Sequence, residues 1–145
     1  MSLSYWMVNN LLLECDKDWT EFTVDGQRKC MKLIGKYPAE QAVDTCQSRG
    51  SKVPLPQTEQ ADKDTYAAFK ALGVTEGALD GSDVRKEGEW VQHSTGKKIK
   101  WFNWAPHEPN NHGNQDFLWY WAAHPGKWDD VGGSAWINVI CEKDL

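Results

Sequence analysis

Four cysteines, Cys15, Cys30, Cys46 and Cys141, constrain this chain more than any other feature. No two of them stand in a CxxC spacing, which sets aside a zinc knuckle and a thioredoxin-type redox site. An even number at wide separation points to two disulfides and an oxidising compartment. Spacing alone leaves all three pairings open. With 145 residues the chain is read as one domain, long enough to bury one core but not two.

A formal net charge of −5 argues against nucleic acid as a partner, because phosphate binding wants a basic face. It suits a protein that collects cations. No run approaches the ~18 apolar residues of a membrane span. The opening "MSLSYWMVNNLLLEC" has a short apolar patch but neither a basic region nor a small-residue cleavage site, so it is not read as a signal peptide. Residues 1–14 are taken as an N-terminal extension and 15–145 as the domain. The basic trio Lys97, Lys98 and Lys100 reads as a solvated turn.

"YPAEQAVDTCQSRG" predicts a helix: Pro38 suits a first turn, Ala39, Ala42, Val43 and Cys46 form a stripe, and Gly50 caps the end. "TEQADKDTYAAFKALG" predicts a second, with Thr58 near its start, a stripe of Ala61, Tyr66, Phe69 and Leu72, and Gly73 closing it. After Val74 helix signals vanish. "EWVQH" and "KIKWFNW" read as strands around a Ser94–Gly96 turn, and "DFLWYW", "KWDDV" and "AWINVICE" as three more. The pattern is that of an α+β domain, helices first and a mostly antiparallel sheet second, with a long loop between Lys100 and Trp128.

That loop contains "HEPNNHGNQDF", residues 107–117, unusually rich in metal-competent side chains. A zinc hydrolase needs two histidines one helical turn apart. His107 and His112 are five apart, about 140° around a helix, and Pro109 with Gly113 disfavours a helix in any case. Calcium asks instead for 6–8 hard oxygens on an irregular scaffold. Glu108, Asn110, Gln115 and Asp116 supply them in one stretch, and Asp129 and Asp130 add two from a later strand.

In this order the motifs resemble the C-type lectin-like domain, over about Cys15 to Glu142. The resemblance is carried by "CDKDWTEF", "AVDTCQSRGSKV", "DGSDVRKEGEW", "WFNWAPHEPNN", "GKWDD" and "VICE". It implies two helices packed on mostly antiparallel sheets with a long calcium-binding loop. It also implies disulfides Cys46–Cys141 and Cys15–Cys30, and a cis Glu108–Pro109 bond. The family's inner disulfide is missing: Phe117 stands where one cysteine normally does, and the Gly132–Ser134 stretch where the other would. Packing of Phe117, Trp119, Trp121 and Trp136 is expected in its place. Trp19, Trp90, Trp104 and Trp128 occupy family core positions, and an exposed tryptophan near the site is a candidate sugar-stacking surface.

The resemblance assigns a principal calcium and sugar site to Glu108, Asn110, Gln115, Asp129 and Asp130, and an auxiliary calcium site to Asp83, Glu87, Asn111 and Asp116. Gln115 stands where the family usually has a glutamate and Asp129 where it usually has an asparagine. One carboxylate and one amide are thus exchanged, and each sugar hydroxyl still finds an acceptor and a donor. A register shift would put Asp116 in the principal site instead. The implied function is calcium-dependent, non-enzymatic binding of glycans of the mannose, fucose or N-acetylglucosamine type, in a secreted or extracellular protein. Galactose-type specificity and a protein-binding module are the alternatives. No collagenous tract or heptad is present, so a homo-oligomer would form through the domain surface or through flanks outside this sequence.

Overall fold

Two antiparallel sheets and two helices carry the chain in the computed structural model, which describes residues 13–110 and 114–145. In order come β1 (Thr20–Val24), β2 (Gln27–Pro38), a 3₁₀ turn at Ala39–Gln41, α1 (Ala42–Gln47), α2 (Glu59–Ala71), β3 (Gly77–Ser82), β4 (Phe117–Tyr120), β5 (Trp128–Val131) and β6 (Trp136–Asp144). The first sheet has the order β1-β2-β6 and the second β3-β4-β5. The class is the α+β expected, but the order is not helices first: β1 and β2 precede both helices, and β2 pairs with the last strand. Most of the 1–14 extension lies outside the described residues.

The chain first reverses at Asp25–Gly26, where φ is 47° and 80°. Two consecutive positive φ values match the right-handed twist of the strands they join, and Asp-Gly is among the pairs that adopt them at least cost. β2 continues past a bulge between Leu33 and Gly35 and pairs along its length with β6.

The first predicted helix begins later than expected. Pro38 is still the last residue of β2, opposite Trp136. The next two backbone N–H groups donate to the loop before β6, Ala39 to Ala135 O (2.8 Å) and Glu40 to Gly133 O (3.0 Å), and α-helix starts only at Ala42. Cys46 faces the core as expected, and Gly50 closes the turn with φ 65°. The second helix is as predicted: Thr58 Oγ1 accepts the Ala61 N–H (3.0 Å), and Gly73 follows the helix at φ 94°. Its Phe69 is fully buried, with Ala61, Tyr66 and Leu72 packed around the same core.

β3, "GALDGS", is buried on every residue. Its glycines permit close packing: a Cβ at Gly77 would come within 2.8 Å of the Phe69 ring, and one at Gly81 within 2.8 Å of Leu118. "DFLWYW", "KWDDV" and "AWINVICE" do contain strands β4, β5 and β6. "EWVQH" and "KIKWFNW" do not become regular strands. Val91 bridges Ser82 and Lys98 singly, because the 93–95 turn is pulled to Asp80, whose carboxylate accepts the Ser94 N–H (3.0 Å) and hydroxyl (2.5 Å).

Two clusters make the core. One joins α2 to Trp90, Leu118, Tyr120 and Trp128, and the other joins α1 to Val131, Val139 and Cys141. Cys46–Cys141 ties α1 to β6 inside the second, and Cys15–Cys30 anchors the segment before β1, the pairing implied by the resemblance. Phe117 and Trp119 pack on the second cluster, and a Cβ on Gly133 would meet the Phe117 ring at 3.0 Å. The ring therefore fills the place considered for the missing disulfide. Trp136 takes no such part: at the start of β6 it is 67% exposed.

Candidate functional site

The loop from Asn103 to Asn110 reaches the second sheet by backbone pairing. Trp128 N–H donates to Asn103 O (2.8 Å), Ala105 N–H returns to Trp128 O (2.8 Å), and Trp104 bridges Trp128 in parallel. Asp62 fixes this junction from α2. Its buried carboxylate accepts from Asn103 Nδ2 (2.7 Å), Trp128 Nε1 (2.9 Å) and Tyr120 Oη (2.6 Å). Burial, and then the charge of Asp62, push the Tyr120 phenol well above its ordinary range, so it remains a donor. Sequence reasoning missed Asp62. The available signal was that Asp62, Thr65 and Phe69 share one helix face, so a carboxylate on that face needs donors when it packs.

Further along, the loop places Glu108 against β5. Oxygens of Glu108, Asp129 and Asp130 lie within 4.8 Å of one another. The Glu108–Pro109 bond is cis, and His107 before it has φ 66°. Asn110 Nδ2 donates to Glu108 Oε2 (3.1 Å), and its backbone N–H points to Asp130 Oδ1 (3.4 Å). Asp129 and Asp130 are 6% and 1% exposed. Glu108 Oε1 and Asp129 Oδ1 are buried without a hydrogen-bond partner. Burial, reinforced by Glu108 and Asp130, pushes Asp129 up to about 8. Glu108 is raised too, first by burial and then by Asp130. Like charges gathered out of water favour protonation unless a cation joins them.

A second cluster, Asp83, Glu87 and Asp116, also fits within 4.8 Å. The Asp83 N–H donates to Asp116 O (3.1 Å), and Asp83 Oδ2 accepts the Gly88 N–H (3.0 Å). Asp83 Oδ1 and Asp116 Oδ1 are again buried and unpartnered. Burial raises the Asp83 carboxyl, with Asp116 adding to it. Among the described residues five buried side-chain polar atoms lack partners, and four of them belong to these two clusters.

The structure therefore gathers Glu108, Asn110, Asp129 and Asp130 in one place and Asp83, Glu87 and Asp116 in another. Asp116 stands with the second group. Gln115, half-buried, makes no hydrogen bond among the described residues that ties it to the first group, and Asn111 lies outside the described residues. Neither cluster includes a histidine or cysteine, the donors that zinc favours. Hard oxygen donors with orphaned lone pairs are the donor set calcium takes, so the residues fit that ion. No helix among the described residues is long and apolar enough to cross a membrane.

No family model matches the chain. Pulmonary surfactant-associated protein D of Bos taurus is 31% identical over 103 residues, covering 71% of this chain and 27% of that protein. The mannose-binding protein of Gallus gallus is 32% identical over 100 residues, covering 67% of this chain and 37% of that protein. The chain thus spans a quarter to somewhat over a third of these relatives. Among solved structures, the carbohydrate-recognition domain of the human scavenger receptor C-type lectin aligns with TM-score 0.75 and 25% identity, over 91% of this chain and 100% of that one. A calcium-independent type II antifreeze protein shares the fold at TM-score 0.72 and 21% identity, over 90% of this chain and 95% of that one. None of these names is that of an enzyme, in agreement with the non-catalytic reading of the sequence. With its motifs in family order, its fold and its relatives all in accord, this chain belongs to the C-type lectin family.

Proposed function

We propose that this domain is a calcium-dependent lectin whose principal site is formed by Glu108, Asn110, Asp129 and Asp130, with Gln115 completing the donor set. The observation that carries the reading is the pair of buried, unpartnered oxygens on Glu108 and Asp129, beside an amide already oriented by its bond to Glu108. Calcium, when bound, supplies a hard cation that vicinal hydroxyl oxygens can join as ligands. Around it the carboxylates accept hydroxyl protons and the Asn110 and Gln115 amides donate to hydroxyl oxygens. Asp83, Glu87 and Asp116 hold a second calcium that stiffens the loop, with Asn111 as a further donor.

Glu108-Pro109-Asn110 supports a preference for mannose, fucose or N-acetylglucosamine, and the relationship to a mannose-binding protein supports it too. Galactose-type sugars are the alternative within the same mechanism. Calcium-independent binding of a protein surface is the alternative outside it. The fold does not choose between them, since a calcium-independent protein shares it; the orphaned carboxylates favour calcium. The two disulfides and the relatives' names support a secreted or extracellular protein. Retention on mannose-agarose in calcium with release by EDTA tests the reading. Flow-through in both buffers from mannose and galactose matrices alike would reject it.

A further inference from the structure

Beside the cage loop lies a groove of roughly 440 Å³ that the proposed sugar site does not use. Its walls are Trp90, Phe102, Trp104 and Pro109, with Lys98 and Glu89 at the rim. The walls are braced: Phe102 stacks on Trp104 with centroids 5.4 Å apart and planes 13° from parallel, and Trp90 meets Trp104 edge-on at 5.2 Å. Glu89 is engaged by Lys86 at 3.3 Å, and the aromatic walls below the rim carry no charge. Volume and lining are those of a site for a small apolar group.

Pro109 sits between Glu108 and Asn110 in the chain and also lines the groove, so the groove adjoins the loop that carries the sugar site. We propose that the groove seats an apolar aglycone, alkyl or aryl, of the glycan bound at the cage, and that the domain selects glycoconjugates carrying such a group. This rests on the lectin reading above and deepens it. The sugar fixes the ligand through hydroxyls, and the aglycone contributes by leaving water for an aromatic wall.

The test is isothermal titration of the wild-type domain, in calcium, with methyl and n-octyl α-mannosides and the corresponding galactosides, below the micelle concentration of the octyl forms. Burial of two methylene groups already corresponds to about tenfold in affinity. The octyl form of whichever sugar binds should therefore be at least about tenfold tighter than its methyl form. Phe102→Ala should cut that octyl-to-methyl ratio to about threefold or less, by loss of the wall that the alkyl chain covers. Equal affinity of methyl and octyl forms for the wild type overturns the groove assignment while leaving the lectin reading standing, and it does so even if the variant fails to fold. Binding of neither methyl nor octyl glycoside overturns the lectin reading and this inference with it.

Discussion

Removing one cage carboxylate, Asp130→Asn, should stabilise the calcium-free protein and reduce its response to calcium to that of the second cluster, Asp83, Glu87 and Asp116. Asp130 is 1% exposed and raises the Glu108 carboxyl by its charge, while Glu108 Oε1 and Asp129 Oδ1 lack donors. An amide at position 130 removes one negative charge and offers an N–H to those oxygens. Relieving an unpartnered buried polar group is worth about 1–3 kcal/mol, and the lower end applies because Glu108 is only half-buried and water screens part of its charge. Unfolding entropy near 2.1 cal/mol/K per residue gives about 0.3 kcal/mol per kelvin for 145 residues, so the gain is roughly 3–5 °C in Tm. Calcium at about 100 times the Kd of the principal site stabilises the wild type through that site by about 2.7 kcal/mol, roughly 9 °C. Differential scanning calorimetry of both proteins, in EDTA and in calcium, reads all four values. A lower EDTA Tm for the variant would refute the repulsion argument, and an unchanged calcium shift would refute Asp130 as a ligand.

The raised carboxyls also set a pH dependence. Folded Asp129 holds its proton up to about 8 whereas the unfolded chain releases it near 4, so the calcium-free domain has stability that is present below about pH 4 and lost as pH rises toward 8. Glu108 and Asp83 act in the same direction, so Tm in EDTA should fall from pH 5 to 8; a rise would contradict the clustering. Calcium reverses the trend, because protons compete for the same oxygens, and its affinity should weaken at pH 5 relative to pH 7.5 by titration calorimetry. Asp62→Ala strands the Trp128 indole N–H, while Tyr120 Oη keeps the Asp62 carbonyl and Asn103 Nδ2 keeps Gly126 O, and should cost about 1–3 kcal/mol by urea denaturation. Replacing Cys46 and Cys141 by serine opens a sequence separation of 95 and should cost about 4–5 kcal/mol, against about 3 kcal/mol for Cys15 and Cys30 at a separation of 15. Equal losses for the two pairs would show that chain entropy is not the governing factor.

The site was legible because its residues cluster in sequence. Glu108 and Asn110 stand two apart, Asp129 and Asp130 are adjacent, and the family resemblance joins the two pairs into one set of hard oxygen donors. α2 was legible because its cap, stripe and closing glycine agree. β3 was not legible from propensity, since two glycines and an aspartate disfavour a strand; the close approach of Phe69 and Leu118 accounts for the glycines. The β1–β2 hairpin carried a usable Asp25–Gly26 signal, but its strands mix charged residues such as Glu21 and Arg28, which pair across the exposed face at 2.9 Å, with few apolar ones. Asp62 was hidden because its three donors come from residues 41 to 66 positions away. Trp136 shows the converse, since composition marks a tryptophan as core and only the sheet edge reveals it exposed.

Glycan-array binding of the wild-type domain in calcium and again in EDTA tests the central claim most directly. The account predicts signal on mannose-type or galactose-type glycans that EDTA removes, with Asp130→Asn silent in both buffers. Signal that survives EDTA, or a folded wild type silent on every glycan in calcium, would contradict it.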